Sequence, residues 1–141
     1  MKTADPRQLD ADDEATLLDA IDMWIERELK PICEHQAIQL KLGEMATRAR
    51  AARLLTLDAA AAFDRGERCD MEAGMAKYFA SEAALENSIE SLRIHGAYGY
   101  SKEFDIERLY RDAPLTCIGE GTNEMQRIII SKQWIRRNPP G

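Results

Sequence analysis

Apolar residues recur at steps of three and four along most of the chain, which is the spacing of one face of an α-helix. The first such pattern predicts a helix that begins after about residue 12 and ends at Pro31, whose ring removes a hydrogen-bond donor. Its apolar face consists of Leu17, Leu18, Ile21, Trp24, Ile25 and Leu29. Residues 1–11 show no such period and are expected to form a flexible tail.

The longest periodic pattern predicts a second helix over about residues 34–64. Its steps alternate between four and three, as in the seam of a helical bundle. The predicted seam consists of Ile38, Leu42, Met45, Ala49, Ala52, Thr56, Ala59 and Phe63. Similar patterns predict a third helix from Asp70 to near Gly96, and a last helix from a Thr122 cap to about Arg137.

A long connection without a clear period, residues 96–121, separates the third and last helices. Within it, residues 104–111 allow one or two helical turns. No segment has the alternation of a strand, so the predicted fold is all-α: an up-and-down four-helix bundle with one long crossover before the last helix. We expect it to form a single domain over residues 12–141. Long connections in compact domains are often functional, so the crossover is the first place to look for a site.

The amino-acid composition argues against several classes of function. The 141 residues include 19 Lys and Arg against 25 Asp and Glu, a formal charge of −6, and no long basic run, which argues against nucleic-acid binding. No apolar stretch is long enough to cross a membrane, and the polar, acidic start does not resemble a signal peptide, so we expect a cytoplasmic protein. Three widely spaced cysteines predict free thiols rather than disulfides.

Histidine content limits the chemistry further. A di-metal bundle needs Glu-x-x-His pairs, but neither His35 nor His95 follows a glutamate at that spacing. No G-x-S-x-G nucleophile motif is present either. We therefore expect no metal site and no histidine-dependent nucleophile.

Two glycine-containing turns in the crossover could carry chemistry. Glu120 lies between Gly119 and Gly121, directly before the last predicted helix. Such glycines allow positive φ and close approach of a flat ligand, and free N–H groups at a helix start can bind phosphate or carbonyl oxygen. A carboxylate enclosed there by apolar groups would have a raised pKa and could remove a proton next to a carbonyl. The G-E-G turn is also compatible with a solvated loop, and residues 96–100 with either a cofactor surface or a turn of packed tyrosines.

Several segments together resemble the C-terminal helical domain of the FAD-dependent acyl-CoA dehydrogenases. They follow the order and approximate spacing of that family and are His35–Met45, Met75–Glu82, Ile94–Tyr100, Glu107–Ala113 and Gly119–Gln126. The resemblance covers about residues 31–137. It implies that Glu120 is the base that removes the α-proton of an acyl-CoA thioester while FAD accepts a hydride from the β-carbon.

The same resemblance implies a set of binding residues. Thr122 and Glu124 match positions that contact FAD, and Gly121 is assigned to the acyl-CoA substrate. Gly96 and Ala97 match a glycine pair that lies against the FAD pyrophosphate of a neighbouring subunit, which implies a homo-oligomer or a partner helical subunit. Two departures occur here: Ala97 replaces the second glycine, and Arg93 stands where glutamine is common, although arginine can pair with phosphate.

Residues 9–31 resemble the first helix of the family, apparently joined to the last domain near residues 30–33. The rest of the first domain, the β-domain that surrounds the flavin ring and an FAD-contacting arginine have no counterpart in this chain. We expect the first helix to bury the bundle surface left exposed by this difference. Two hypotheses remain open: a truncated acyl-CoA dehydrogenase-like oxidoreductase that uses Glu120 and FAD, or a catalytically silent bundle for oligomerisation or partner docking.

Overall fold

The computed structural model describes residues 31–140, and every regular element among them is helical. The chain divides into two compact units, 1–36 and 37–141. In the first unit, the described part holds a short 3₁₀ turn, Ile32–Glu34. The elements that follow are α1 (Gln36–Asp64), α2 (Asp70–His95), a 3₁₀ segment (Gly96–Tyr100), α3 (Ile106–Ile118) and α4 (Asn123–Arg137). The all-α prediction is confirmed, while the predicted tail and first helix lie outside the described residues.

Helix α1 ends as its sequence predicts, but only part of its predicted seam lies on the buried face: Ala59 is buried, and Ile38, Met45 and Ala52 are half-buried. Gly66 has a φ of 71°, and the N–H of Glu67 donates to the carbonyl of Ala62 at 3.1 Å, which closes the helix in a Schellman motif. Ala59 and Ala62 are buried, whereas Phe63, which was predicted to lie in the seam, is 73% exposed. The buried face therefore overlaps the predicted seam only in part.

Charged residues on α1 explain this difference. Lys41 pairs with Glu90 of α2, and Arg48 Nε lies 2.7 Å from Glu86. Asn87 Nδ2 also donates to the carbonyl of Met45 at 3.0 Å. Because the start of α1 meets the end of α2, the two helices run antiparallel. Apolar periodicity alone does not indicate a face on which charged head groups pair.

Helix α2 is the central helix of the second unit. Its buried residues are mostly small: Met71, Gly74, Ala76, Ser81, Ala83 and Ser88. Lys77 contacts the end of α3 and the start of α4, while Glu72 pairs with Arg137 at the end of α4. Helices α3 and α4 therefore follow one another in the same direction along α2, antiparallel to it. Helices α1, α2 and α4 alternate in direction, as predicted for the bundle.

The Glu72–Arg137 pair fastens the end of α4 to the first turn of α2. Arg137 Nη2 donates to Glu72 Oε2 at 3.1 Å and to the carbonyl of Arg68 at 3.2 Å. The hydrogen bond from Arg137 lowers the pKa of the Glu72 carboxyl from its ordinary value. The charged pair therefore persists as the pH falls into the mildly acidic range.

The crossover is more helical than the sequence suggests. Instead of one or two turns, it contains the 13-residue helix α3, which continues through Pro114. Proline inside a helix removes the bond to the carbonyl four residues earlier, here that of Tyr110, and usually marks a helix end. In α3 the buried side chains of Ile106 and Ala113 compensate by packing on the rest of the unit. Tertiary packing thus overrides the local signal.

Gly99 is required by the close approach of backbone at the end of α2. A Cβ atom at this position would lie 2.7 Å from the carbonyl oxygen of Leu92 and 3.2 Å from the Cβ of His95. We expect Gly99→Ala to lower the free energy of unfolding by about 1–3 kcal/mol, because backbone must move to admit the methyl group. Gly43→Ala is the matched control: its Cβ would meet nothing within 4 Å, so α1 should gain up to about 1 kcal/mol. Urea denaturation measures both, and equal effects would contradict this account.

None of the helices between residues 31 and 140 combines the length and apolar composition needed to cross a membrane. Over the same residues, no group of three or more His, Cys, Asp or Glu side chains is arranged to hold a metal ion. Cys33, Cys69 and Cys117 are free thiols.

Candidate active site

Glu120 lies at the break between α3 and α4. Helix α3 ends where the N–H of Gly119 donates to the carbonyl of Leu115 at 2.8 Å, and α4 begins where Thr122 Oγ1 accepts from the N–H of Met125 at 3.4 Å. Between them the backbone takes a left-handed step, with φ of 54° at Glu120 and 89° at Gly121. A positive φ is uncommon for a residue with a side chain and costs of order 1 kcal/mol or more. The turn thus holds a carboxylate at a strained position on the surface.

Glu120 borders an open pocket of about 510 Å³ between α2 and α4. The pocket is lined by Arg68, Asp70, Ala73, Gly74, Lys77, Glu120, Gln126, Ile129 and Gln133. Gln126 Nε2 donates to the carbonyl of Glu120 at 3.3 Å, and a Cβ at Gly121 would lie 3.0 Å from that same nitrogen. Glu120 itself is exposed. Residues 31–140 of one chain therefore do not build the enclosed, apolar surroundings expected around this base.

A buried polar network lies beside the turn, and the sequence analysis did not single it out. Asn123, only 2% exposed, accepts at Oδ1 from Lys77 Nζ at 2.7 Å and from Ser81 Oγ at 3.0 Å. Its Nδ2 donates to Glu82 Oε1 at 2.8 Å. Lys77 Nζ also donates to the carbonyl of Cys117 at 3.2 Å. The available signal was the spacing of Lys77 and Ser81, which puts two polar groups on one face of an otherwise apolar stretch of α2.

Thr122 and Glu124, the predicted FAD contacts near the base, lie in the first turn of α4. The pKa of the Glu124 carboxyl is lowered, first because its own backbone N–H bonds the carboxylate and second because the Thr122 hydroxyl does so. Arg127 Nη2 lies 3.0 Å from Glu124 Oε1. A carboxylate held in this way is suited to accept hydrogen bonds from ring N–H or ribose hydroxyl groups rather than to bind phosphate.

Arg93, Gly96 and Ala97, the predicted pyrophosphate contacts, lie at the opposite end of α2. Gly96 has a φ of 59°, and a Cβ built on it would meet nothing within 4 Å. Ala97 is exposed, and the guanidinium of Arg93 lies 2.6 Å from a carboxylate oxygen of Glu90. This turn offers open backbone and a cation, which fits a phosphate group, although Glu90 competes for the arginine.

The tyrosines of the same turn divide between two roles. The Tyr98 ring packs against Phe104 with centroids 5.6 Å apart, and His95 contacts the other side of Phe104 at 5.9 Å. Tyr100 is 87% exposed. The turn is therefore partly a packed aromatic cluster, while Tyr100 remains free to contact another molecule.

The two predicted cofactor surfaces lie far apart on one chain. Lys77 contacts the residues that flank Glu120, and Gly96 follows the last residue of the same helix. At a rise of about 1.5 Å per residue, the helix from Lys77 to Gly96 is roughly 25–30 Å long, so the two surfaces lie about that far apart. The residues present fit FAD as two partial surfaces, not as one enclosed site. The role of Gly96 and Ala97 at the cofactor of a neighbouring subunit stays a prediction.

Comparison with known proteins gives a consistent family. The model for "Acyl-CoA dehydrogenase, C-terminal domain" matches residues 15–135 and so includes much of the first predicted helix. An acyl-CoA dehydrogenase of Bacillus subtilis is 50% identical over 121 residues, which cover 84% of this chain and 32% of that protein. A subunit of the caffeyl-CoA reductase–Etf complex of Acetobacterium woodii is 41% identical over 108 residues, covering 77% of this chain and 28% of its own length.

The fold agrees with a solved structure from the same group. Butyryl-CoA dehydrogenase from Megasphaera elsdenii superimposes with a TM-score of 0.75 at 38% identity, over 87% of this chain and 33% of that one. The chain thus spans about a third of the length of the relatives it matches. Because the family model covers most of the sequence and the helices superimpose, this chain belongs to the acyl-CoA dehydrogenase family, and it corresponds to the C-terminal domain.

Proposed function

We propose that this chain supplies the proton-abstracting base, Glu120, for the α,β-dehydrogenation of an acyl-CoA thioester in the cytoplasm, with FAD as the hydride acceptor. The observation that carries the proposal is the strained turn at Glu120, held beside a pocket at the break between α3 and α4. Such strain persists only where the surroundings enforce it, and it is concentrated at functional sites. Since the chain spans a third of the length of its relatives, the remaining surfaces of the site are proposed to come from a neighbouring copy of this chain, or from a helical partner present in the same preparation.

Different groups at the turn have different roles in proton removal. The Glu120 carboxylate takes the proton from the carbon next to the thioester carbonyl. Gly121 presents backbone without a side chain, so that the thioester can approach the carboxylate closely. The N-terminus of α4 places partial positive charge beside the negative charge that develops on the thioester as the proton leaves. FAD, when bound, supplies the acceptor for the β-hydrogen, and the product is an α,β-unsaturated thioester.

Cofactor binding is proposed to involve two copies or a helical partner. Thr122 and Glu124 would contact the FAD next to their own Glu120, whereas Arg93, Gly96 and Ala97 would contact the pyrophosphate of a neighbouring FAD. Exposed apolar residues on α1 and α4 favour such assembly, because a large apolar surface is usually covered by protein. They include Leu40, Leu54, Leu57, Phe63, Trp134 and Ile135.

Flavin retention tests the proposal directly. After incubation with FAD and removal of unbound cofactor, we expect the protein to keep a visible flavin band that a saturated acyl-CoA bleaches under anaerobic conditions. Arg93→Ala should weaken FAD binding by about tenfold, the effect of losing one charged hydrogen bond. Arg53→Ala, an exposed arginine of α1, should leave binding unchanged. Absence of a flavin band at saturating FAD would contradict the proposal.

A second candidate function is a catalytically silent bundle for oligomerisation or partner docking. The observation that favours it is the combination of an exposed Glu120 with exposed apolar residues on α1 and α4. It predicts no flavin retention but a self-association that strengthens with protein concentration in sedimentation equilibrium. Flavin retention and self-association, measured on the same preparation, therefore distinguish the two candidate functions.

A further inference from the structure

We propose that Asn123 is a positioning residue for the base: with Lys77, Ser81 and Glu82 it clamps both ends of the turn that carries Glu120. The inference deepens the proposed function and rests on it for its catalytic meaning. It concerns a buried network that neither proton removal nor cofactor binding uses directly. Its geometry is independent of any bound cofactor.

One nitrogen atom joins the two sides of the break. Lys77 Nζ donates to the carbonyl of Cys117, in the last turn of α3, and to Oδ1 of Asn123, the first residue of α4. Residues 118–122, which include Glu120, are therefore anchored at both ends to a single ammonium group. Helix α2 supplies the rigid support, because Lys77 is the eighth of its 26 residues and so lies about two turns inside it.

Both ends of the Asn123 amide are hydrogen-bonded, and charged partners at the two ends fix its orientation. Its Oδ1 accepts from Lys77 and Ser81, and its Nδ2 donates to the Glu82 carboxylate. A rotation of the amide by 180° would turn the NH₂ group towards the Lys77 ammonium and the oxygen towards the Glu82 carboxylate, so both of these bonds would be lost, whereas the Ser81 hydroxyl can donate or accept. A buried amide whose oxygen faces an ammonium group and whose nitrogen faces a carboxylate specifies one arrangement of these neighbours.

The strained backbone at Glu120 needs a restraint, and this network supplies one. A non-glycine residue at a φ of 54° relaxes towards ordinary backbone unless it is held. The hydrogen bond from Gln126 to the Glu120 carbonyl, at 3.3 Å, is long and lies at the surface, so it is a weak restraint. The clamp formed by Lys77 and Asn123 is the buried restraint on the turn. Without it, Glu120 would sample several positions relative to the pocket.

The test exchanges donor and acceptor within the network. Asn123→Asp removes the donor and places a carboxylate against Glu82, so we expect the turn to become mobile. Adding Glu82→Gln returns a donor that faces the new carboxylate, and the double variant should restore the clamp. Asn87→Asp is the matched control, because Asn87 donates to Met45 of α1 and does not touch the turn.

The readout is the backbone ¹⁵N order parameter of Glu120 by NMR, measured without flavin in the full chain. We expect a value near 0.85 in the original protein and in Asn87→Asp, below about 0.6 in Asn123→Asp, and a return to about 0.85 in the double variant. A wild-type value in Asn123→Asp, or failure of the double variant to restore order, would overturn the proposal. A variant that is merely less stable would not show rescue confined to the turn.

A second variant covers the case in which Asn123→Asp does not fold. Lys77→Met replaces a partly buried charge with an apolar side chain of similar length, so it removes the ammonium group without placing a new charge in the network. It should leave the helical circular dichroism intact while the Glu120 order parameter falls below about 0.6. An unchanged order parameter would again overturn the proposal. Because no cofactor is present, failure of flavin binding cannot be mistaken for failure of the clamp.

The contribution of the clamp to catalysis is measured separately, as a change in kcat and KM. In flavin-loaded protein, Asn123→Asp should lower kcat at least tenfold with little change in KM, since the substrate is still bound but the base is misplaced. The double variant should recover most of that loss. A mobile turn with an unchanged kcat would show that the clamp exists but that Glu120 is not the base.

Discussion

Glu120→Gln is expected to lower the rate of acyl-CoA-dependent flavin bleaching by about 10²–10⁴-fold, the usual contribution of a positioned general base. Glutamine has nearly the same shape as glutamate but cannot accept the proton. The measurement is anaerobic stopped-flow absorbance of the flavin band after mixing with a saturated acyl-CoA. The KM should change little, because binding of the thioester does not depend on the carboxylate's charge alone.

The same substitution should leave folding intact. Glu120 is exposed, and among residues 31–140 no side-chain hydrogen bond involves its carboxylate. The cost should therefore stay within about 0.5 kcal/mol, as for surface substitutions generally. Glu103→Gln is the matched control, since this exposed glutamate lies in the crossover away from the pocket and should keep full activity. Bleaching at the original rate in Glu120→Gln would mean that another group is the base.

The second large effect is expected from a charge in the centre of the bundle. Ala83 is 6% exposed on α2, so Ala83→Asp would bury a carboxylate with no partner. An uncompensated buried charge costs about 3–5 kcal/mol, which corresponds to a decrease in Tm of more than about 10 °C for a chain of this size. Differential scanning calorimetry measures the change.

Ala84→Asp is the matched control for this prediction, because Ala84 is the next residue of the same helix but is exposed. Its cost should be limited to the lower helix propensity of aspartate, about 0.7 kcal/mol. The two variants should also converge as the pH falls below about 4, since the buried carboxyl then becomes neutral. Equal destabilisation by both at neutral pH would contradict the assigned inward face of α2.

These two substitutions also separate the candidate functions. The silent bundle requires only the fold, so Ala83→Asp should abolish self-association while Glu120→Gln does nothing. The dehydrogenase requires both. The sequence pattern places Ile38 and Met45 in the predicted seam of α1, but these residues are only partly buried, and the small residues of α2 lie deeper. A charge in the centre of α2 is therefore a sharper test of the bundle than a charge in the predicted seam of α1.

The candidate site was predictable where it depends on consecutive residues. Gly119, Glu120, Gly121 and the Thr122 cap lie next to one another in the chain, and their backbone preferences alone indicate a turn before a helix. Lys77 and Glu82 were not predictable as neighbours of Asn123, because about 40 residues intervene and no local preference encodes the contact. The 3₁₀ segment shows the same limit: Gly96 was interpreted correctly as a helix end, whereas the need for glycine at 99 depends on how the backbone of Leu92 approaches it.

The sequence by itself determined the helical class, the ends of α1, α2 and α4, and the position of the strained turn, because spacing of apolar residues, capping groups and glycines act over a few residues. Only the tertiary structure decided that the crossover forms α3 despite Pro114, that charged residues of α1 face α2, and that the partly buried Lys77 ties the two sides of the break together. These features depend on burial and on pairing between distant residues. The free energy of this burial and pairing exceeds the local conformational preferences of the residues concerned, so tertiary packing determines each of these features.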